Sequence, residues 1–145
     1  MSAYADTSFL VSLYVLDANS EHAAAHMKEA KLPVLLTPLG ELELTNAISL
    51  RLFWKELAAE EIKRAHALFA RDVADGVFQR TPLSPAVFDT AKRIARKRTP
   101  RLGTRTLDVL HVASALVLHA EAFYTFDRNQ AKLAKAEGLT VLSLS

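Results

Sequence analysis

Apolar positions along this chain keep two different rhythms. Short hydrophobic runs, "SAYA", "PVLLT", "VFQRTPL", "AFYTF" and "LTVLSL", read as five strands. Between them lie longer stretches in which apolar residues return every three or four positions, the spacing of helices. "TSFLVSLYV" is the first. "NSEHAAAHMKEAK" follows, with Asn19 or Ser20 as its cap. Next come "PLGELELTNAISLRLFWK" and "AAEEIKRAHALFARDVADG", the latter ended by Gly76. "SPAVFDTAKRIARKR" takes Ser84 as cap and Pro85 as first helical residue. "RTLDVLHVASALVLHA" is apolar nearly all round, as a buried central helix requires, and "DRNQAKLAKAEG" is closed by Gly138. Strands separated by helices need crossover connections. The pattern therefore predicts an α/β fold with a mostly parallel central sheet flanked by helices. No linker, repeat or low-complexity segment divides the chain, so residues 1–145 are expected to form one domain.

Composition narrows the class. Half of the 145 residues are hydrophobic and 23% are charged, with 4 glycines and 5 prolines, which is globular rather than disordered. The 18 basic and 16 acidic residues leave a formal charge of +2, so no global field demands a nucleic-acid partner, and a pI near 9.0 is a mild hint. The absence of cysteine excludes disulfides and thiolate metal sites and agrees with a reducing cytosol. No basic segment precedes the first apolar stretch, which Asp6, Thr7 and Ser8 interrupt. Neither a signal peptide nor a membrane span is expected, and the protein is read as cytoplasmic.

The candidate chemistry lies in acids at the ends of predicted strands, where parallel sheets collect ligands. Asp6 ends the first strand and Asp127 ends "AFYTF"; Asp108 lies in the first turn of the buried helix, and Glu43 lies in the helix after the second strand. Four carboxylates meeting at one point need a counter-charge, because repulsion and desolvation otherwise raise their pKa values. Mg²⁺ or Mn²⁺ supplies it with oxygen ligands. Each acid also has a plain structural reading. Asp127 with Gln130 fits a capping box, Asp108 complements a helix dipole, and Asp6 can cap the helix beginning at Thr7. Glu43 shares a largely apolar stripe with Leu39, Asn46, Ala47, Leu50 and Trp54, where an unpaired carboxylate is costly. Glu41 competes with it from a different face.

Other features point elsewhere or nowhere. The histidines show no H-E-x-x-H pattern; His22 and His26 fall in an alanine-rich helix expected to be exposed. His111, on the side of its helix that carries Asp108, reads as a packed, hydrogen-bonded residue, with a supporting contact to the site as the lesser reading. No G-x-S-x-G elbow, P-loop or G-x-G-x-x-G fingerprint is present, and an aspartyl-phosphate phosphatase would want an acid where Ser8 stands. The run Lys92, Arg93, Arg96, Lys97, Arg98, Arg101, Arg105 is either a solvated helix face, opposite Val87, Phe88, Ala91, Ile94 and Ala95, or a phosphate-gripping edge leading towards Asp108. Segments 7–16 and 39–54 carry Phe9, Leu13, Tyr14, Leu52, Phe53 and Trp54, enough apolar surface to suggest a groove for a partner's helix or strand.

At "YADTSFLVSLY", "ELELTNAI", "RTLDVLHVASAL" and "FYTFDRNQAKLAKAEGLTVL" the chain resembles the successive motifs of PIN-domain ribonucleases, and among them the VapC-like toxins of type II toxin–antitoxin systems. The likeness covers nearly the whole chain. It implies that the family's four acids fall on Asp6, Glu43, Asp108 and Asp127, as metal ligands and catalytic residues, with Glu43 placed by the E-x-x-N-A of "ELTNA". It places the small polar residues near the metal at Ser8 and Thr125, with Asn46 as a supporting partner. The implied activity is a Mg²⁺- or Mn²⁺-dependent endoribonuclease, usually a homodimer, acting on RNA and held inactive by a small antitoxin protein. Arg98, Arg101 and Arg105 are the candidate RNA contacts. The competing readings are a catalytically silent PIN-like module that binds RNA or protein, and a metal-dependent phosphatase.

Overall fold

The computed structural model describes residues 1–143, so Leu144 of the run "LTVLSL" lies outside the described residues. Five strands are present: β1 (Ala3–Ala5), β2 (Val34–Leu36), β3 (Phe78–Arg80), β4 (Ala122–Thr125) and β5 (Thr140–Ser143). All neighbouring pairs are parallel and the spatial order is β3-β2-β1-β4-β5. The helices are α1 (Thr7–Tyr14), α2 (Ser20–Glu29), α3 (Pro38–Phe53), α4 (Ala59–Ala74), α5 (Ala86–Leu102), α6 (Thr106–Val117) and α7 (Arg128–Ala136). Among the described residues no helix is long and apolar enough to cross a membrane.

Strand periodicity divides the interior in two. Ala3, Ala5, Val34, Leu36, Ala122 and Tyr124 face a core shared with Phe9, Leu10, Leu44, Ile48 and Phe69 of α1, α3 and α4. The alternate residues Tyr4, Leu35 and Phe123 face a second core with Val87, Ile94, Val112, Ala113 and Leu133 of α5, α6 and α7. Helices α1–α4 thus cover one face and α5–α7 the other, and the inner strands β1, β2 and β4 bury both sides. The chain starts at the centre, moves outward through β2 and β3, then returns to lay β4 on the free side of β1. The strand order reverses between β1 and β4, the place where open α/β sheets collect ligands at the carboxyl ends of their strands.

Several boundaries differ from the sequence reading. Pro85 sits in helical geometry at the edge of α5, which begins one residue later at Ala86, and the Ser84 carbonyl rather than its hydroxyl starts the turn by accepting from Val87 N. Asn19 occupies the cap of α2 with no side-chain capping bond; Asp17 instead accepts from its N–H at 2.8 Å. Helix α5 does not stop at Arg98 but runs through Pro100 to Leu102, and the stop is Gly103 at φ +63°, whose N–H bonds the Thr99 carbonyl at 2.8 Å. Pro100 has no N–H to donate to the Arg96 carbonyl, so the last turn of α5 lacks that bond.

Candidate functional site

The reversal point brings Asp6 and Thr125 together from the ends of β1 and β4. Asp6 is only 4% exposed. Its Oδ1 accepts the Ser8 hydroxyl at 2.6 Å and the Phe9 N–H at 3.1 Å, and its Oδ2 accepts the Thr125 hydroxyl at 2.5 Å. Ser8 and Thr125 each have one hydroxyl proton, and each spends it on Asp6. Their lone pairs receive the backbone N–H groups of Phe126 and Asp127 at 2.9 and 3.0 Å. Asp6 thus caps α1 as its plain structural reading expects, while buried at the carboxyl end of β1. Burial pushes the Asp6 carboxyl above its ordinary range, against the two hydroxyls and the Phe9 N–H that favour the anion.

Glu43 projects from the middle of α3, half-buried. Its Oε1 accepts the Thr7 hydroxyl at 2.9 Å and the His111 Nε2–H across the gap to α6. Burial acts to raise the Glu43 carboxyl, but the hydrogen bonds from His111 and Thr7 outweigh it and hold the group below its usual range. The far nitrogen of His111, Nδ1, lies 2.6 Å from the Tyr4 hydroxyl. Tyr4 stacks on Phe123 beneath the helix, and burial raises its hydroxyl far above the ordinary phenol value. Glu41, the competing acid, is ion-paired with Arg80 of β3 at 2.8 Å and belongs to the outer surface.

The two remaining acids sit at helix starts. Asp108 Oδ2 accepts from Arg105 N at 3.2 Å in the first turn of α6. Asp127 is exposed and caps α7, with Oδ1 accepting from Asn129 N at 2.8 Å and Gln130 N at 3.0 Å. The reciprocal half of the predicted capping box does not form. Thr125 rather than Gln130 takes the Asp127 N–H, and Gln130 Oε1 is buried without a partner.

Each carboxylate keeps unused acceptor capacity on one oxygen, although in Asp6 both oxygens are tethered. Oδ2 of Asp6 has a single donor, and among the described residues Oε2 of Glu43, Oδ1 of Asp108 and Oδ2 of Asp127 accept nothing. Among the described residues no ion pair includes Asp6, Asp108 or Asp127. The donor set is all oxygen, the chemistry of a hard divalent cation rather than a soft one. Among the described residues no three His, Asp or Glu side chains stand close enough together to form a finished metal cage.

Other expected residues separate. Asn46 is exposed and makes no hydrogen bond to the acids; it lines a groove of about 390 Å³ with Thr7, Leu39, Leu42, Glu43, Ala47, Leu50 and Leu107. Arg98 is removed from the phosphate-gripping set. Its Nε bonds Glu137 at 2.7 Å and its Nη2 bonds the Ala136 carbonyl at 2.8 Å, which locks α5 to the end of α7. Arg101 and Arg105 remain exposed. Phe88, assigned to the buried side of its helix, is 60% exposed, and His26, expected on the surface, packs edge-on against Tyr124 at 4.3 Å. Phe9 is buried, but Leu52, Phe53 and Trp54 project beyond the core, with the Arg51 guanidinium over the Trp54 ring.

The PIN domain family model matches residues 3–136. No curated protein matches the chain by sequence. Among solved structures, VapC20 from Mycobacterium tuberculosis, described as a sarcin-ricin loop cleaving toxin, aligns with a TM-score of 0.72 at 16% identity over 96% of this chain and 97% of that one. FitAcB from Neisseria gonorrhoeae aligns with a TM-score of 0.73 at 18% identity, covering 97% and 96%. VapBC2 from Rickettsia felis, solved with a DNA fragment from their promoter, aligns with a TM-score of 0.68 at 14% identity over the whole of both chains. At these identities the likeness is one of fold.

Proposed function

Because the chain belongs to the PIN-domain family, we propose that it is a divalent-metal-dependent endoribonuclease, the toxin of a type II toxin–antitoxin pair. The observation that carries this reading is the buried Asp6 carboxylate at the strand-order reversal, which among the described residues has three neutral donors and no cationic side chain paired with it. Three neutral donors do not replace the hydration of a buried anion. Asp6 and Asp108, with Glu43 and Asp127, would hold a Mg²⁺ or Mn²⁺, which when bound would supply the missing charge, polarise a phosphodiester and lower the pKa of a water. In this reading Asp6 and Asp108 are direct ligands, and Glu43 and Asp127 complete the set. Ser8 and Thr125 aim Asp6, and the exposed Arg101 and Arg105 bind phosphates flanking the scissile one.

The groove beside Glu43, with its apolar wall of Leu39, Leu42, Ala47, Leu50 and Leu107, suits an apolar segment of an antitoxin. The protein acts as a homodimer in this reading. The test is cleavage of RNA by the purified, partner-free protein with and without Mg²⁺ or Mn²⁺. Metal-dependent cutting supports the reading. RNA binding that ignores the metal, without cutting, favours a silent binding module instead.

A further inference from the structure

The four carboxylates are not held in the same way. Asp6, Asp108 and Asp127 are oriented by backbone N–H groups at the starts of α1, α6 and α7. Glu43 lies well inside α3, where every backbone N–H is already used by the helix. Among the described residues its donors are two side chains from other elements, Thr7 of α1 and His111 of α6. His111 is itself buried, 3% exposed, and its second nitrogen meets Tyr4, a residue of the central strand whose ring is fully packed. Tyr4 thus ties the sheet to His111, and His111 ties α6 to Glu43.

We propose that His111 is a positioning residue for the metal site and that Tyr4 sets its tautomer. The Tyr4 O–H donates to Nδ1, the proton resides on Nε2, and Nε2–H donates to Glu43 Oε1, which Thr7 also holds. With Oε1 filled by two donors, Oε2 is the oxygen left for a cation. This is the arrangement in which an outer partner fixes both the ring orientation and the basicity of a ligand. It rests on the metal-dependent reading above and adds two residues that acid spacing alone does not reveal. The loss of Tyr4 should act through His111 rather than through packing, because Tyr4→Phe keeps the ring stacked on Phe123.

The experiment combines side-chain ¹⁵N NMR of the metal-free protein with Mn²⁺ binding by calorimetry. In the unmodified protein the spectrum should show His111 with Nε2 protonated and Nδ1 bare; in Tyr4→Phe it should show both tautomers. Mn²⁺ affinity should fall about 10–100-fold in His111→Leu and about fivefold in Tyr4→Phe, one hydrogen bond's worth. His111→Gln, which keeps an N–H donor, should recover part of the loss. In a Glu43→Gln background, His111→Leu should have no further effect, because its influence passes through Glu43. An Nδ1–H tautomer or an imidazolium in the unmodified protein overturns the inference, as does a His111→Leu effect that persists without Glu43. If Tyr4→Phe and His111→Leu bind Mn²⁺ normally while the unmodified protein cuts RNA, the inference falls and the nuclease reading stands. If the coupling appears and no RNA is cut, the reverse holds. A protein that binds no Mn²⁺ overturns both.

Discussion

Replacing Asp6 by asparagine and by alanine separates the charge of this side chain from its shape. Asparagine is a comparable helix cap, and its carbonyl can accept from Ser8 and Phe9 as Oδ1 does now. Its NH₂ would face Thr125, which can turn from donor to acceptor and pass its proton to Ser8, 3.1 Å away. Losing the charge weakens three charge-assisted bonds by about 1 kcal/mol each. Removing a buried anion offsets this by relieving a desolvation cost of several kcal/mol. Without metal, Asp6→Asn should therefore be as stable as the unmodified protein or more so, by up to about 2 kcal/mol. Asp6→Ala removes the cap and strands the Ser8, Phe9 and Thr125 donors, and should lose about 3–5 kcal/mol.

The metal arm gives the opposite ranking. At a hundredfold excess over Kd, Mn²⁺ stabilises a binding protein by about 2.7 kcal/mol, or roughly 5–10 °C in Tm for a domain of this size. That upshift and RNA cleavage should both vanish in Asp6→Asn. Scanning calorimetry of the three proteins with and without Mn²⁺, beside a cleavage assay, checks each arm. An Asn variant that melts well below the unmodified protein, or that keeps the full Mn²⁺ upshift, refutes the reasoning.

Asp108→Asn should abolish cleavage while changing metal-free stability by only about 0.3–1 kcal/mol, the worth of a charge near a helix start; chemical denaturation and a cleavage assay decide it. Glu41→Gln should leave cleavage intact and lose at most about 1 kcal/mol with its exposed Arg80 pair. At the α5–α7 junction, burial of Glu137 acts to raise its carboxyl, but Arg98 and Arg93 outweigh it and the group titrates below its ordinary value of 4.5. The advantage of the unmodified protein over Glu137→Gln, about 1–3 kcal/mol at pH 7, should be full above that ordinary value and disappear as pH falls through the depressed one. An advantage that grows on acidification contradicts this. Arg101→Gln with Arg105→Gln should weaken RNA binding and flatten its salt dependence, whereas Arg98→Gln should chiefly lower Tm.

How far the sequence could be read depends on which interactions are local. The apolar runs of β1, β2 and β4 located the two-sided centre of the sheet, because burial on both faces writes itself into consecutive residues; β3 keeps only Phe78 buried and is marked by that residue alone. The order of strands is not in that pattern, and neither is the reversal that makes Asp6 and Thr125 neighbours across 119 positions. In α3 the residues facing the core are Gly40, Leu44 and Ile48, whereas the stripe through Leu39, Glu43, Ala47 and Leu50 lines the groove. Both lines are apolar at helical spacing, and periodicity alone cannot rank them. Arg98 looked identical to Arg101 and Arg105 because its partner, Glu137, comes from the far end of α7. Tyr4 looked like any strand residue until His111 was placed above it.

Cap and ligand were competing readings of Asp6 and Asp127 in the sequence, and the structure removes the competition. A carboxylate has two oxygens and about four acceptor positions, and a helix start needs only part of one side. Helices α1 and α7 follow β1 and β4 directly, so their first N–H groups lie at the carboxyl ends of those strands. The same donors that satisfy the helix start therefore help fix the carboxylate; at Asp127 they leave the other oxygen free among the described residues, while at Asp6 the Ser8 and Thr125 hydroxyls add bonds of their own. Asp108 obtains the equivalent tether from Arg105 N in the first turn of α6. Glu43 cannot, because an interior helical residue has no spare N–H beside it. Its orientation has to be imported from side chains, which is why a buried histidine and a buried tyrosine are found behind Glu43 and not behind the three aspartates.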